Sequence, residues 1–162
     1  MRSKSRPIWA PWRMQFIRSK KTPGCFLCGN REPSGKPEEE LIVKRMEHCF
    51  LILNRYPYTS GHLLVAPYRH CGDIAALSPD ELHEIMDGCV FAKTLLDKVM
   101  HPDAFNIGFN LGAAAGAGVA EHLHLHIVPR WNGDSNFMPV ISDTRVVPES
   151  LTATAELLRN EL

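Results

Sequence analysis

Residues 122–128 read His-Leu-His-Leu-His-Ile-Val. In an extended strand successive side chains point to opposite faces. His122, His124 and His126 therefore share one face, and Leu123, Leu125 and Ile127 share the other. The apolar face belongs against a core, which leaves three imidazoles side by side at intervals of about 6–7 Å. A single histidine is commonly structural, but three in alternation have no packing rationale and point to chemistry. Two chemistries suit the row. Neutral imidazoles can hold a catalytic metal such as zinc. Alternatively, the middle ring attacks phosphorus and forms a phosphoramidate, while its neighbours orient it and stabilise phosphoryl charge.

The residues just upstream bear on that choice. Asn110 leads into residues 111–119, LGAAAGAGV, with glycines at 112, 116 and 118. Small residues let backbone N–H groups approach phosphate oxygens closely. A plain flexible connection is the lesser alternative for the loop alone; beside the histidine row it makes a coherent site for attack on an α-phosphate. A second cluster begins at Cys25-Phe26-Leu27-Cys28. This spacing is half a zinc site, two ligands short. A redox pair would share the spacing, but no thioredoxin-like βαβ pattern surrounds it, and two buried free thiols remain the plain reading.

These groups need elements to position them. Strands are predicted at residues 41–44, 48–54 and 61–67, with turn-like residues between 55 and 60. Ser78-Pro79-Asp80-Glu81 is a capping box with proline at the first helical position. Apolar residues then recur near a 3.6 period at Leu82, Ile85, Met86, Cys89, Val90, Leu95, Leu96 and Val99, and Pro102 stops the helix. A strand follows at 104–110, then the loop, the histidine strand at 122–128, a loop-like stretch at 131–139, and a final helix at 150–162. Strands, one long helix and strands again indicate an α+β domain on an antiparallel sheet.

The bulk of the chain sets limits. Its 162 residues suit one domain with a real core. Eighteen basic and eighteen acidic residues cancel, which argues against broad attachment to nucleic acid or an anionic membrane. The basic opening (Arg2, Lys4, Arg6, Arg13, Arg18, Lys20, Lys21) is the exception, read as a solvated or subunit-contacting arm rather than a nucleic-acid tail. No apolar run is long enough to span a bilayer, and the start lacks a signal-peptide pattern. Five cysteines, three of them (Cys49, Cys71, Cys89) in apolar segments, suggest buried thiols in a reducing cytoplasm. His48, His83 and His101 read as structural. Trp9, Trp12 and Trp131 suit subunit packing or stacking on a base.

The HLHLHIV segment resembles the His-x-His-x-His-x-x motif of the histidine triad (HIT) superfamily of nucleotide hydrolases and transferases. The likeness continues through NIGFNLGAAAGAGVAE and EHCFLILNRYPYTSGHLLVAPYRH, over about residues 25–130. The flanks IWAPWRMQFI and RWNGDSNFMPV resemble a bacterial branch related to diadenosine tetraphosphate phosphorylases. The resemblance implies a HIT-like sheet of about five antiparallel strands with one long and one C-terminal helix. It divides a single domain, 1–162, into an arm (1–24), a core (25–130) and an extension (131–162). It also implies a homodimer.

By the same resemblance, His124 is the nucleophile that forms a nucleotidyl-histidine, His122 and His126 flank and polarise it, and His62 acts near the phosphates. Asn110, Gly116, Ala117 and Gly118 hold phosphate, Asn54 the ribose, and Phe26, Leu27 and Ile52 the base. Cys25, Cys28, His70 and His122 are the expected ligands of a structural zinc. Many relatives carry a hydroxyl or amide side chain where this chain has Ala117 and Gly118, which questions side-chain help to the leaving group. The implied activity is cleavage of a nucleoside or dinucleoside polyphosphate, with phosphate or water as acceptor. The alternatives are a metal-dependent hydrolase with zinc on the three histidines, and a nucleotide-binding interaction protein with little turnover.

Overall fold

The computed structural model describes residues 25–33, 35, 37–134 and 149–162. The predicted arm, with Trp9 and Trp12, lies outside the described residues, as does most of the segment following Trp131. Five strands, β1 (Ile42–Arg45), β2 (Cys49–Leu53), β3 (Leu63–Pro67), β4 (Ala104–Phe109) and β5 (Leu125–Arg130), form one sheet. Its order is β1-β2-β3-β5-β4, and every neighbouring pair is antiparallel. Helix α1 (Pro79–Met100) packs on β2, β3 and β5, and α2 (Leu151–Arg159) packs on β1. The expected α+β architecture is present.

β2 and β3 are continuous apolar runs, CFLIL and LLVAP, and are buried at every position. Such runs belong to strands covered on both faces. Ile85, Cys89, Ala92, Leu95 and Leu96 of α1 supply one cover. Gly88 permits the close approach, since a Cβ there would lie 3.0 Å from both Val65 and Met46. Met86 and Val90 fall within the predicted apolar period yet face outward, at 54% and 64% exposure. The apolar period is wider than the stripe the sheet covers.

The capping box forms as read. Ser78 Oγ accepts from the Glu81 N–H at 3.2 Å, and Glu81 Oε2 accepts from the Ser78 N–H at 2.8 Å. The helix ends at His101, held in the left-handed region at φ 48°, immediately before Pro102. From the second turn of the helix, the Glu84 carboxylate accepts three backbone N–H groups where the β1–β2 turn enters β2, from Glu47, His48 and Cys49 at 3.0, 2.6 and 2.7 Å. One side chain thereby ties helix to hairpin.

The histidine strand departs from its expected bounds. β5 begins at Leu125, so His122 and His124 precede the ladder. The His122 N–H turns back to the Val119 carbonyl at 3.3 Å, and the Leu123 N–H goes to the Cys71 carbonyl at 2.7 Å. Both donors leave the sheet direction, because residues 119–123 are bound to the segment after β3 and not to a strand. Leu123, Leu125 and Ile127 are nonetheless buried, as the alternation requires.

Glu81 also receives Arg69 through Nε at 2.9 Å and Nη2 at 2.6 Å. Chiefly through this hydrogen bonding, its carboxyl falls from an ordinary 4.5 to about 2. A carboxyl whose folded value is depressed stabilises fully above its unfolded value and loses that stabilisation as pH falls through the folded one. Glu81→Gln is therefore expected to lower the urea midpoint at pH 7, with the deficit shrinking between about pH 4.5 and 2. A deficit that does not change with pH would contradict the assignment.

Candidate active site and adjoining metal cluster

The chemistry-bearing histidines divide between two places. His124 and His126 line an open cleft with Phe26, Asn54, Tyr56, Tyr58, Leu64, Gly116, Gly118 and Val119. The His124 and His126 rings are 4.8 Å apart between centroids. His122 is fully buried on the other side of the turn and faces the cysteine pair. The row of three equivalent imidazoles expected from strand alternation is therefore not formed. The backbone turn at 119–123 rotates the first ring away from the other two.

Hydrogen bonds settle how the rings are protonated when neutral. His124 Nδ1 lies 2.8 Å from the His122 carbonyl oxygen, which can only accept. Nδ1 therefore carries the hydrogen and Nε2 carries the lone pair. His62 Nδ1 accepts from the Tyr58 N–H at 3.1 Å, with Asn54 Nδ2 at 3.3 Å. Its proton then sits on Nε2, which is 3.0 Å from His126 Nδ1. His126 in turn holds its proton on Nε2. The Tyr58 ring stacks on His62 at 4.8 Å and on His126 at 6.1 Å, steadying the pair. Burial pushes the His124 imidazole below its ordinary 6.5, against the opposing effect of its carbonyl bond, and so favours the neutral, nucleophilic form.

The remaining expected residues are placed as follows. Leu27 is enclosed in the apolar core, and Ile52 pairs with Leu64 in the ladder; neither lines the cleft. Its apolar wall consists of Phe26, Leu64 and Val119. Asn110 sits just beyond β4, half-buried, and does not line the cleft either. Gly116 adopts φ 86°. The N–H groups of Ala115 and Gly116 bond within the turn, to Gly112 and Ala113, so backbone donors for a phosphate begin at Ala117. Tyr56, Tyr58, Leu64 and Val119 were not expected at the site. The tyrosine pair inside an otherwise turn-like stretch was the available sign.

Cys25, Cys28, His70 and His122 form a cluster able to hold a metal ion, with one donor atom from each lying within 4.8 Å of the others. Cys25 Sγ is 3.2 Å and Cys28 Sγ 3.5 Å from His122 Nδ1, and Cys28 Sγ is 3.3 Å from His70 Nδ1. Tetrahedral zinc, with bonds of about 2.3 Å to sulfur and 2.0 Å to nitrogen, sets those ligands about 3.5 Å apart. His122 Nε2 donates to the Pro67 carbonyl at 2.8 Å, which turns the Nδ1 lone pair toward the thiols. A backbone carbonyl on the far ring nitrogen is the usual orienting partner of a histidine ligand. The donor set fits the ion.

Together with the sheet, this arrangement describes an α+β domain whose chemistry centres on imidazole. Residues 36–133 match the HIT domain family. A protein of Mycobacterium tuberculosis named AP-4-A phosphorylase is 38% identical over 161 residues, which is 95% of this chain and 83% of that one. The asymmetrical bis(5'-nucleosyl)-tetraphosphatase of Schizosaccharomyces pombe is 31% identical over 77% of this chain and 68% of its own. The crystal structure of a Zn-bound histidine triad family protein from Mycobacterium smegmatis superposes with a TM-score of 0.61 at 31% identity, covering 74% of this chain and 81% of that one. The chain belongs to the HIT domain family.

Gly72 shows how tightly the turn before the histidines is held. A Cβ there would lie 2.4 Å from the Ala120 carbonyl oxygen and 3.0 Å from the Glu121 Cα. Backbone cannot move aside as a flexible side chain can. Gly72→Ala is expected to destabilise the fold by about 1–3 kcal/mol and to displace residues 120–122. Amide chemical shifts for 119–126 would record the displacement, and unchanged shifts would contradict it.

Proposed function

We propose that this chain splits dinucleoside polyphosphates, diadenosine tetraphosphate among them, through a covalent nucleotidyl-histidine on His124. The observation that carries the reading is the His124 Nδ1–H bond to the His122 carbonyl, which leaves the Nε2 lone pair at the cleft. Nε2 attacks the α-phosphorus, a P–N bond forms, and the bridging P–O bond breaks. The departing nucleoside polyphosphate leaves as an anion with the electron pair, and His126 Nε2–H, oriented by His62, offers a hydrogen bond to its oxygen. Next the acceptor oxygen attacks phosphorus, the P–N bond breaks and the pair returns to Nε2. Among the described residues the cleft lining carries no charged side chain, and imidazole N–H groups with loop amides from Ala117 onward offer donors to the phosphoryl oxygens.

Phosphate is the acceptor we favour, with water the alternative. The resemblance to the AP-4-A phosphorylase spans nearly the whole chain, whereas the likeness to the tetraphosphatase is shorter and weaker. Asn54 lines the cleft at the position proposed for the ribose, and Phe26 with Leu64 and Val119 offers an apolar surface to the base. Zinc is the ion proposed for Cys25, Cys28, His70 and His122, in a structural role. Zinc on all three triad histidines is disfavoured, since His122 turns away from the other two and His126 Nδ1 is engaged by His62.

A homodimer and a cytoplasmic location complete the proposal. β4 is a sheet edge bearing Ile107 at 46% exposure, the kind of edge a second copy can extend. Among the described residues no helix is long and apolar enough to cross a membrane. Sedimentation is expected to report about twice the 18.2 kDa chain mass; a monomer at micromolar concentration would remove the dimer.

Incubation with diadenosine tetraphosphate tests the activity. ATP and ADP are expected only when inorganic phosphate is present, and His124→Asn is expected to lower the rate on the order of a thousandfold or more. AMP and ATP without phosphate would make water the acceptor. No products under either condition would overturn the reading.

A further inference from the structure

One peptide unit joins the metal cluster to the nucleophile. Its carbonyl, from His122, accepts the His124 Nδ1–H at 2.8 Å. Its N–H, from Leu123, donates to the Cys71 carbonyl at 2.7 Å. One end of this chain of bonds is anchored by a cluster member and the other by the neighbour of one. His70 immediately precedes Cys71, and His122 contributes the carbonyl. The His122 ring is held independently, with Nε2 on the Pro67 carbonyl at 2.8 Å and Nδ1 facing the thiols at 3.2 and 3.5 Å. Gly72 lets residues 70–72 pack directly on the backbone of Ala120 and Glu121.

We propose that Cys25, Cys28 and His70 are positioning residues for catalysis. With a divalent ion bound, His70 and His122 would together hold the 122–123 peptide plane and thereby keep His124 in its Nδ1–H tautomer. This rests on the metal and nucleophile readings above and goes beyond a structural role for the ion. A cluster that merely pinned the segment around Cys25 would need no ligand on either side of that peptide. Here two of the four ligands flank it, one on each segment of the contact. Without the ion, the edge contact of the His70 and His122 rings, the thiols and the Leu123 N–H bond to Cys71 remain, but these weaker contacts let the peptide plane rotate. Its carbonyl then no longer selects which ring nitrogen of His124 holds the hydrogen, and part of the population presents Nε2–H, which cannot attack phosphorus.

The direct test compares zinc-loaded and chelator-treated protein labelled with ¹⁵N-histidine. Long-range ¹H–¹⁵N correlations report the His124 tautomer, and rapid mixing with diadenosine tetraphosphate reports the rate of the first ATP release. Loaded protein is expected to show one zinc per chain and a single Nδ1–H tautomer at His124. Removal of zinc is expected to add signals of the Nε2–H form and to slow first-turnover release by about tenfold or more, with nucleotide affinity changed less than twofold. Because His70 is exposed, His70→Ala tests the same link in a chain expected to stay folded. It should reproduce the stripped state, and His70→Cys should restore both zinc and the single tautomer. A single Nδ1–H tautomer persisting in folded, zinc-free protein or in His70→Ala would overturn the proposal. So would failure of the loaded protein to bind zinc. If first-turnover release is absent even from loaded protein, the tautomer signals still decide this inference, and the catalytic reading alone falls.

Discussion

An imidazole nucleophile works only if the nitrogen facing the substrate is the one without a hydrogen. That requirement is met here by one contact, the His122 carbonyl accepting from His124 Nδ1. A carbonyl has no donor state, so the choice between ring nitrogens does not depend on a mobile proton elsewhere. The backbone turn at 119–123 aims that carbonyl. The turn is closed by His122 N–H on Val119 and attached to the segment after β3 through Leu123 N–H on Cys71. The turn carries His122 out of the imidazole row, and the same departure creates the contact that orients the next histidine.

The sheet provides what the turn cannot. His126 lies in β5 opposite Leu64 of β3 and Gly108 of β4, and His62 stands just before β3. Pairing of β3 with β5 therefore brings two imidazoles from distant parts of the chain within 3.0 Å. Burial of β2 and β3 beneath α1 makes that pairing rigid, and the Glu84 carboxylate anchors the helix to the first hairpin. The main-chain donor at Tyr58 then gives the His62–His126 pair a direction, with the final N–H on His126 Nε2. Lone pair and donor come from adjacent alternate residues, one set by the turn and one by the sheet. This is a division suited to attack at phosphorus with a hydrogen bond to the departing oxygen.

Much of this was legible in the residues. The apolar runs of β2 and β3, the Ser78–Glu81 box and the alternation around Leu123, Leu125 and Ile127 each obey a local rule; the box forms as read, and the strands appear with boundaries shifted by up to three residues. The set of four metal donors came from the resemblance to relatives, since Cys25 and Cys28 alone supply half a site. What local pattern cannot contain is a contact between remote segments. Residues 119–123 bond to the segment after β3, so the start of β5 moved and His122 left the row. Leu27 and Ile52 are apolar enough for a base pocket, but the sheet claims both for its core. Tyr56 and Tyr58 enter the cleft because the β2–β3 connection folds over His62, a consequence of pairing that no spacing rule encodes.

The central claim is that His124 Nε2 bonds covalently to the nucleotide. Rapid acid-free quenching after mixing with diadenosine tetraphosphate, followed by peptide mapping by mass spectrometry, tests it most directly. The account predicts one adenylyl group per chain, stable to alkali and labile to acid, on the peptide bearing His124 and attached at Nε2. An adduct on another histidine, or steady turnover with no adduct at any time point, would contradict it.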